Sequence, residues 1–400
     1  MVLSGEWVRL LLLLTTGFLL SACSQPSRLA AVPSGAVTRA SVLDLPNARF
    51  LVTDRAAMAA EGRASLEREK AARKAEGRSG PLPTAHFLAL SGGGDDGAFG
   101  AGLLRGWSER GDRPTFKLVT GISTGALSAP FIFLGPAYDD ALAEVYTQST
   151  QTDIFKRRSI LAAVTDDALT DTTPLYGTIS RYLDDAFLDR IAAEYDKGRL
   201  LLVATTNLDA AQPVIWNIGA IAKSGGPQRL ELVRRILLAS AAIPAAFPPV
   251  MFDVTADGQA YQEMHVDGGA VAQVFLYPPT LSVRESPRRR VAYIIRNGKL
   301  SPPWEDVKRR TVSIAGRAIA TMIASSGVGD TYRIYATTQR DGVAFNLAYI
   351  GDDFQEPYPG PFDPGYMGKL YRYGQDRGRR GTGWQTTPPG YGTAVPGSGA

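Results

Sequence analysis

Histidine and cysteine are nearly absent: the 400-residue chain has two histidines and one cysteine. So few soft donors exclude a His/Cys zinc site of ordinary spacing, and a lone cysteine excludes an internal disulfide. The chain has no dense Lys/Arg block with interleaved aromatics, and its net charge of +4 is spread along it, so the usual marks of a nucleic-acid groove are missing. The mild basic excess is compatible with an anionic membrane surface. Catalysis would fall to Ser, Asp, Glu, Lys and backbone groups, with no metal and no cofactor expected. Core-forming material is plentiful. With 44% hydrophobic and 20% charged residues, the chain can build one large α/β core or two smaller ones.

At the N-terminus Arg9 precedes an apolar run from Leu10 to Leu20, about half the ~20 residues a helix needs to cross a bilayer. This reads as a signal peptide and not an anchor helix. The run ends in Leu20-Ser21-Ala22-Cys23, which resembles the bacterial lipobox, where cleavage precedes an acylated cysteine. The resemblance implies a signal peptide over residues 1–22 and membrane attachment through lipidated Cys23, since several acyl chains on one residue suffice for stable anchoring. An ordinary cleaved signal with an incidental cysteine is the alternative. Ser24, in place of Asp, implies delivery to the outer membrane, so the expected location is the bacterial cell envelope.

Residues 23–84 have linker composition. The Ala-rich, charged stretch from Ala56 to Arg78 predicts a solvated helix without a core face, serving as a stalk. From Gln355 to the end Gly and Pro dominate, predicting a poorly ordered tail over residues 355–400. A catalytic domain is left between residues 85 and 354.

That domain opens with two consecutive strand-to-helix units. His86 to Leu90 is an apolar run fit for a buried parallel strand, Ser91 to Gly97 a turn, and Ala98 to Trp107 a helix. Phe116 to Thr120 repeats the strand, Gly121 to Gly125 the turn, and Ala126 to Leu134 the helix. Further strands are expected at Leu200–Thr205, Val291–Arg296 and Phe345–Ile350, with helices at Phe187–Tyr195 and Leu230–Ala241. Alternation of this kind predicts an α/β fold with a mainly parallel sheet covered on both faces.

Gly92-x-Gly94-x-x-Gly97 after a strand matches a dinucleotide fingerprint, but the next strand runs into Gly121-Ile122-Ser123 and offers no carboxylate for a ribose. A purely structural turn would not require three successive glycines. The remaining reading is a loop whose free amides converge on negative charge at a helix N-terminus. Gly121-x-Ser123-x-Gly125 supplies the group such a loop would serve: in a strand-to-helix elbow the serine hydroxyl is exposed, and flanking glycines avoid clashes with neighbouring backbone.

A histidine base would have to be His86 or His265. His86 starts its strand, the wrong end for a site built at strand C-termini. His265 lies two residues before Asp267-Gly268-Gly269, so it could face the same side as Asp267.

Taken together, these motifs resemble the patatin-like phospholipases. The marks are the glycine-rich loop Gly92 to Gly97, the elbow Gly121 to Gly125 about thirty residues later, the distal Asp267-Gly268-Gly269, and the segment Ala239-Ser240-Ala241-Ala242-Ile243-Pro244-Ala245-Ala246-Phe247-Pro248-Pro249. The resemblance covers about residues 86 to 300. It implies a three-layer α/β/α fold and a Ser-Asp dyad. Ser123 is then the nucleophile, Asp267 its base, Gly92, Gly93, Gly94 and Gly97 the oxyanion loop with the Gly93 and Gly94 amides as donors, and a phospholipid, lysophospholipid or related lipid ester the substrate.

One departure stands out. Many relatives carry Arg before the last loop glycine, where this chain has Asp96, preceded by Asp95. Either the pair caps the following helix near its positive end or it acts in the chemistry. The stretch from Gln151 to Arg199, with Ile154, Phe155, Ile160, Leu161, Leu175, Ile179 and Tyr182, is ordinary helical packing or part of an acyl channel or lid. A non-lipid esterase or thioesterase on the same fold, and a silent membrane-tethered binding module, are the competing functions.

Overall fold

The apolar runs become parallel strands of one sheet. The computed structural model describes residues 28–158, 167–284, 288–301, 304 and 306–391. The signal segment, Cys23, Ile160 and Leu161 lie outside them. The first half contains β1 (Arg49–Leu51), α1 (Arg55–Ala75), β2 (Ala85–Leu90), α2 (Gly97–Arg110), β3 (Leu118–Gly121), α3 (Thr124–Leu134), α4 (Asp139–Gln148), α5 (Gln151–Ile154), β4 (Lys156–Arg157), β5 (Thr170–Asp171), α6 (Thr173–Tyr182) and α7 (Asp185–Asp196). The second contains β6 (Leu200–Asn207), β7 (Gln212–Asn217), α8 (Ile218–Lys223), α9 (Arg229–Ser240), β8 (Val250–Ala256), β9 (Gln259–Asp267), β10 (Arg290–Arg296), α10 (Thr311–Asp341), β11 (Ala344–Tyr349) and α11 (Pro364–Arg380).

The strand order is β1-β7-β6-β3-β2-β10-β11, with β9 paired to β6 and β8 to β9. Pairings from β6 through β3, β2 and β10 to β11 are all parallel. Side chains alternate between the faces. Leu88, Leu90, Val119 and Ile295 face a core shared with α2, α3 and α9, whereas Phe87, Ala89, Ile294 and Leu347 face Ile334 and Tyr335 of α10. The fold is a three-layer α/β/α sandwich with a mainly parallel sheet. Strands buried on both faces need no polar alternation, which is why they read as continuous apolar runs.

The expected stalk is instead part of the domain. β1 is an edge strand antiparallel to β7. Along α1 the inward face is Met58, Glu61, Ser65 and Glu69, spaced as one helical stripe. Glu69 meets Lys117 and Arg288 at 2.8 and 2.7 Å, the Ser65 hydroxyl donates to the Gly198 carbonyl at 2.6 Å, and Glu61 accepts from the Tyr195 hydroxyl at 2.9 Å. The buried stripe is mostly polar, so its composition looked solvated; its partners lie far along the chain.

The expected C-terminal tail is likewise folded as far as residue 391. Gly102 and Gly106 of α2 face Gly374 and Gly378 of α11, and a Cβ at any of the four would run into a backbone carbonyl of the opposite helix. The glycines that suggested disorder are the contact surface of two helices whose backbones touch.

Candidate active site

Strand β3 ends at Gly121, but its neighbour β6 continues. Along that free edge β9 pairs antiparallel, Thr205 opposite Asp267, so β9 approaches β3 head to head. The two strands deliver Ser123 and Asp267 to one point.

Ser123 has φ 55° and ψ −127°, a sparsely populated conformation for a side-chain-bearing residue. It persists because its surroundings hold it. The Ser123 amide donates to the Ser240 hydroxyl at 3.0 Å, which donates to the Ala204 carbonyl at 2.7 Å. A Cβ on Gly121 would meet the Gly125 backbone, and one on Gly125 would meet the carbonyls of Leu90 and Ser91, so β2, the elbow and α3 pack without room for either side chain.

The Asp267 carboxyl faces the Ser123 side chain, which favours its anion. Its Oδ1 also accepts from the Gly269 amide at 2.7 Å, and its own amide donates to the Ala242 carbonyl at 2.8 Å. Burial pushes this carboxyl up to about 7, against the Ser123 side chain and the Gly269 amide, which favour the anion. Gly268 is needed because a Cβ there would meet the Ala204 carbonyl oxygen at 2.6 Å.

Four glycines of the loop divide into two pairs. The Gly92 amide donates to the Gln273 carbonyl at 2.9 Å, and the Gly97 amide to the Gly94 and Asp95 carbonyls, so neither is a free donor for an oxyanion. Their role is close approach. A Cβ on Gly92 would meet Gln273 Oε1 at 2.8 Å and Ser123 Cβ at 3.1 Å, while one on Gly97 would overlap Thr124 and Tyr146. The amides of Gly93 and Gly94 have no protein acceptor among the described residues. A Cβ on Gly93 would overlap the Asn297 carbonyl; at Gly94 there is room, but φ is 59°.

The loop rests on the end of β10. The Asn297 amide donates to the Ser91 hydroxyl at 2.8 Å and its side-chain nitrogen to the Ser91 carbonyl at 2.9 Å. Arg296, 5% exposed, directs Nη1 toward the Gly92 carbonyl at 3.4 Å. That carbonyl shares a peptide group with the Gly93 amide, so a cation there strengthens the amide as a donor.

Asp95 and Asp96 do not cap α2. The Asp96 side chain takes none of the helix amides. Instead the C-terminal segment straps both: Asp95 Oδ2 accepts from the Tyr358 hydroxyl at 3.1 Å and the Phe362 amide at 2.9 Å, and Asp96 Oδ1 from the Tyr366 hydroxyl at 3.0 Å. Burial of the carboxyl, then the Asp95 charge, pushes Asp96 up to about 7.

Neither histidine faces Ser123. His86 stacks on Tyr293 at the start of β2. His265 is fully buried, with Nδ1 on the Thr205 hydroxyl at 2.8 Å and Nε2 on Glu263 at 3.1 Å. Trp216 donates to the same hydroxyl at 2.8 Å and Arg49 pairs with Glu263, so His265 belongs to a buried polar chain joining β7, β6, β9 and β1.

Beside the loop lies a mostly apolar cavity, open at its mouth. Gly94 and Thr124, which adjoin the free amides and Ser123, form one end; Phe131, Ile154, Ile179 and Tyr182 are among the other walls. The helices of residues 151–199 thus contribute walls as well as packing.

Sequence reasoning missed Gln273, Arg296 and the two strap tyrosines. It singled out the segment containing Ser240 and Ala242 but gave those residues no task; they hold the backbones of Ser123 and Asp267.

Residues 88–278 match the family model described as patatin-like phospholipase. Among solved structures, VipD from Legionella pneumophila is 14% identical at a TM-score of 0.38, with 77% of this chain and 68% of that one covered. The type III effector protein ExoU is 13% identical at a TM-score of 0.33, with 76% and 54% covered. No curated protein sequence matches. The matched span 88–278 holds the glycine loop, the elbow and the Asp-Gly-Gly turn, so all three motifs fall where the chain is similar to the patatin-like phospholipase model.

Proposed function

We propose that the protein is a serine lipid-acyl hydrolase working through a Ser123–Asp267 dyad on phospholipids, lysophospholipids or related lipid esters. The observation that carries the reading is the juxtaposition of the pair: a serine held in strained geometry facing a carboxyl raised to about 7, beside two unclaimed amides. A base of that pKa is matched to neutral pH, which an ordinary carboxylate near 4 is not.

In the first half-reaction Ser123 Oγ attacks the ester carbonyl carbon while its proton passes to Asp267. The Gly93 and Gly94 amides take the oxyanion. Collapse of the tetrahedral intermediate breaks the ester C–O bond, Asp267 returns the proton to the departing alcohol, and the acyl group stays on Ser123. Water, deprotonated by Asp267, then attacks the acyl-enzyme, releasing the fatty acid and restoring Ser123. The cavity suits the acyl chain, because aliphatic and aromatic side chains form most of its walls.

The same reading takes Cys23 as the acylated anchor residue, holding the enzyme at the bacterial outer membrane. Fatty-acid analogue labelling of the wild type and not of Cys23→Ala is the expected result.

The hydrolase reading is tested by incubating the purified chain with a membrane lipid extract and identifying products by mass spectrometry. Free fatty acid and lysolipid are expected from the wild type and not from Ser123→Ala. Equal products from both would end the reading.

A further inference from the structure

We propose that Trp304 and the first half of α10 form a membrane-contacting arm that seats the protein on an anionic lipid surface, with the Ser123 end of the sheet facing that surface. The two halves of α10 differ in kind. Its second half belongs to the domain: Ile334 and Tyr335 are buried against the sheet, the Asp330 carboxylate accepts the Gln273 amide at 2.7 Å, and Gly327 abuts the Arg296 guanidinium. Arg296 is the last residue of β10. Gly327 therefore marks the level of the strand C-termini, where the elbow and glycine loop lie. The part from Thr311 to Ser326 continues past that level for about 24 Å at 1.5 Å per residue, on the side of the sheet that carries the site.

None of residues 313–326 is buried. Helices so placed in water normally carry charge, yet Arg317 is the single charged residue between Thr311 and Gly329. Ile314 and Met322, eight residues apart and so on one face, are 53% and 67% exposed, and Trp304 is 89% exposed. From Trp304 to Ser326 four cations, Lys308, Arg309, Arg310 and Arg317, stand against two acids, Glu305 and Asp306, a net of +2.

An exposed apolar helix face, a neighbouring tryptophan and a basic root are the parts of an element that lies in a bilayer interface. The charge favours an anionic surface. No helix among the described residues is long and apolar enough to cross a membrane, so the arm rests on the bilayer and does not span it. The choice of a lipid surface as partner rests on the lipid-hydrolase reading, since a substrate held in the bilayer needs the site brought to it.

The test places a cysteine at Met322 in the full chain with Cys23→Ala, labels it with an environment-sensitive dye, and adds vesicles rich in phosphatidylglycerol. A blue shift with quenching by brominated acyl chains is expected, weaker on pure phosphatidylcholine. Emission that stays as in water overturns the proposal. So does a shift that tracks protein concentration without lipid, which would mean a second copy covers the face. In a second arm, Ile314→Ser with Met322→Ser should slow hydrolysis of vesicle-borne phospholipid about 10-fold or more, given two apolar side chains withdrawn from the bilayer. Hydrolysis of a short soluble ester should be unchanged. Equal slowing on both substrates, or none on vesicles, counts against the arm. If the wild type splits neither substrate, the hydrolase reading fails, and the dye signal still decides the docking.

Discussion

Asp267 ends β9 and Asp96 closes the turn before α2, each next to a glycine, and burial of the carboxyl pushes each up to about 7. Their company differs. Asp267 meets a strained serine and a backbone amide, whereas Asp96 meets the Tyr366 hydroxyl, with Asp95 beside it tied to Tyr358 and Phe362. A raised carboxyl is thus no sign of a base by itself; what it faces decides. His265 makes the same point, buried two residues from Asp267 with both ring nitrogens engaged elsewhere.

The largest test of this contrast compares Ser123→Ala, Asp267→Asn and Asp96→Asn on a short-chain ester, with circular dichroism to confirm folding. The first two should lose on the order of 10⁴-fold in kcat, as removal of a nucleophile or its base does elsewhere. Asp96→Asn should stay within about threefold, and His265→Gln, while folded, should keep most activity. An Asp96 variant as dead as the Asp267 variant would erase the distinction.

Next in size is the loop. Gly93→Ala forces a methyl group into the Asn297 carbonyl and should cost roughly 10²- to 10³-fold in turnover, the loss that follows removal of one oxyanion donor. Gly94→Ala has open space and suffers only the left-handed φ, so its loss should be smaller. Steady-state kinetics of the two variants side by side would sharpen or reverse that order.

The pH dependence follows from sign. Asp267 must be ionised to act as base, so kcat/KM should rise with pH through an apparent pKa near 7 and then level off. Stability should run the other way. The folded state holds the Asp267 proton more tightly than the unfolded chain, so the associated stabilisation is complete below about 4 and is lost as pH rises toward 7. Asp267→Asn should therefore melt higher than the wild type at pH 8. A lower melting temperature would contradict the burial argument.

The smallest effect belongs to the strap. Tyr366→Phe removes one hydrogen bond to Asp96 and should lower stability by about 1 kcal/mol with turnover almost unchanged. Loss of turnover comparable to Gly93→Ala would make the strap part of the oxyanion loop's geometry.

The two strand-to-helix units were legible because each is built from contiguous residues: an apolar strand, a glycine turn and a small-residue helix announce themselves within about twenty-five positions. Stalk and tail were misread for one reason. The inward face of α1 is mostly polar and that of α11 holds glycines, and both composition rules for disorder and solvation assume that such residues face water. Tyr358 and Tyr366 carried no signal at all, since nothing near them in sequence names Asp95 and Asp96 as partners.

The amino-acid sequence by itself determined the strand runs, the elbow with Ser123, the glycine loop and the Asp-Gly-Gly turn, because local sterics and hydrophobic patterning act along the chain. Only the tertiary structure decided which loop amides are free, that Asp267 reaches Ser123 while His265 turns away, and that both ends of the described chain join the domain. Those outcomes depend on β9 taking over the edge of β6 where β3 stops, and on helices meeting backbone to backbone, pairings between residues tens to hundreds of positions apart that no local pattern encodes.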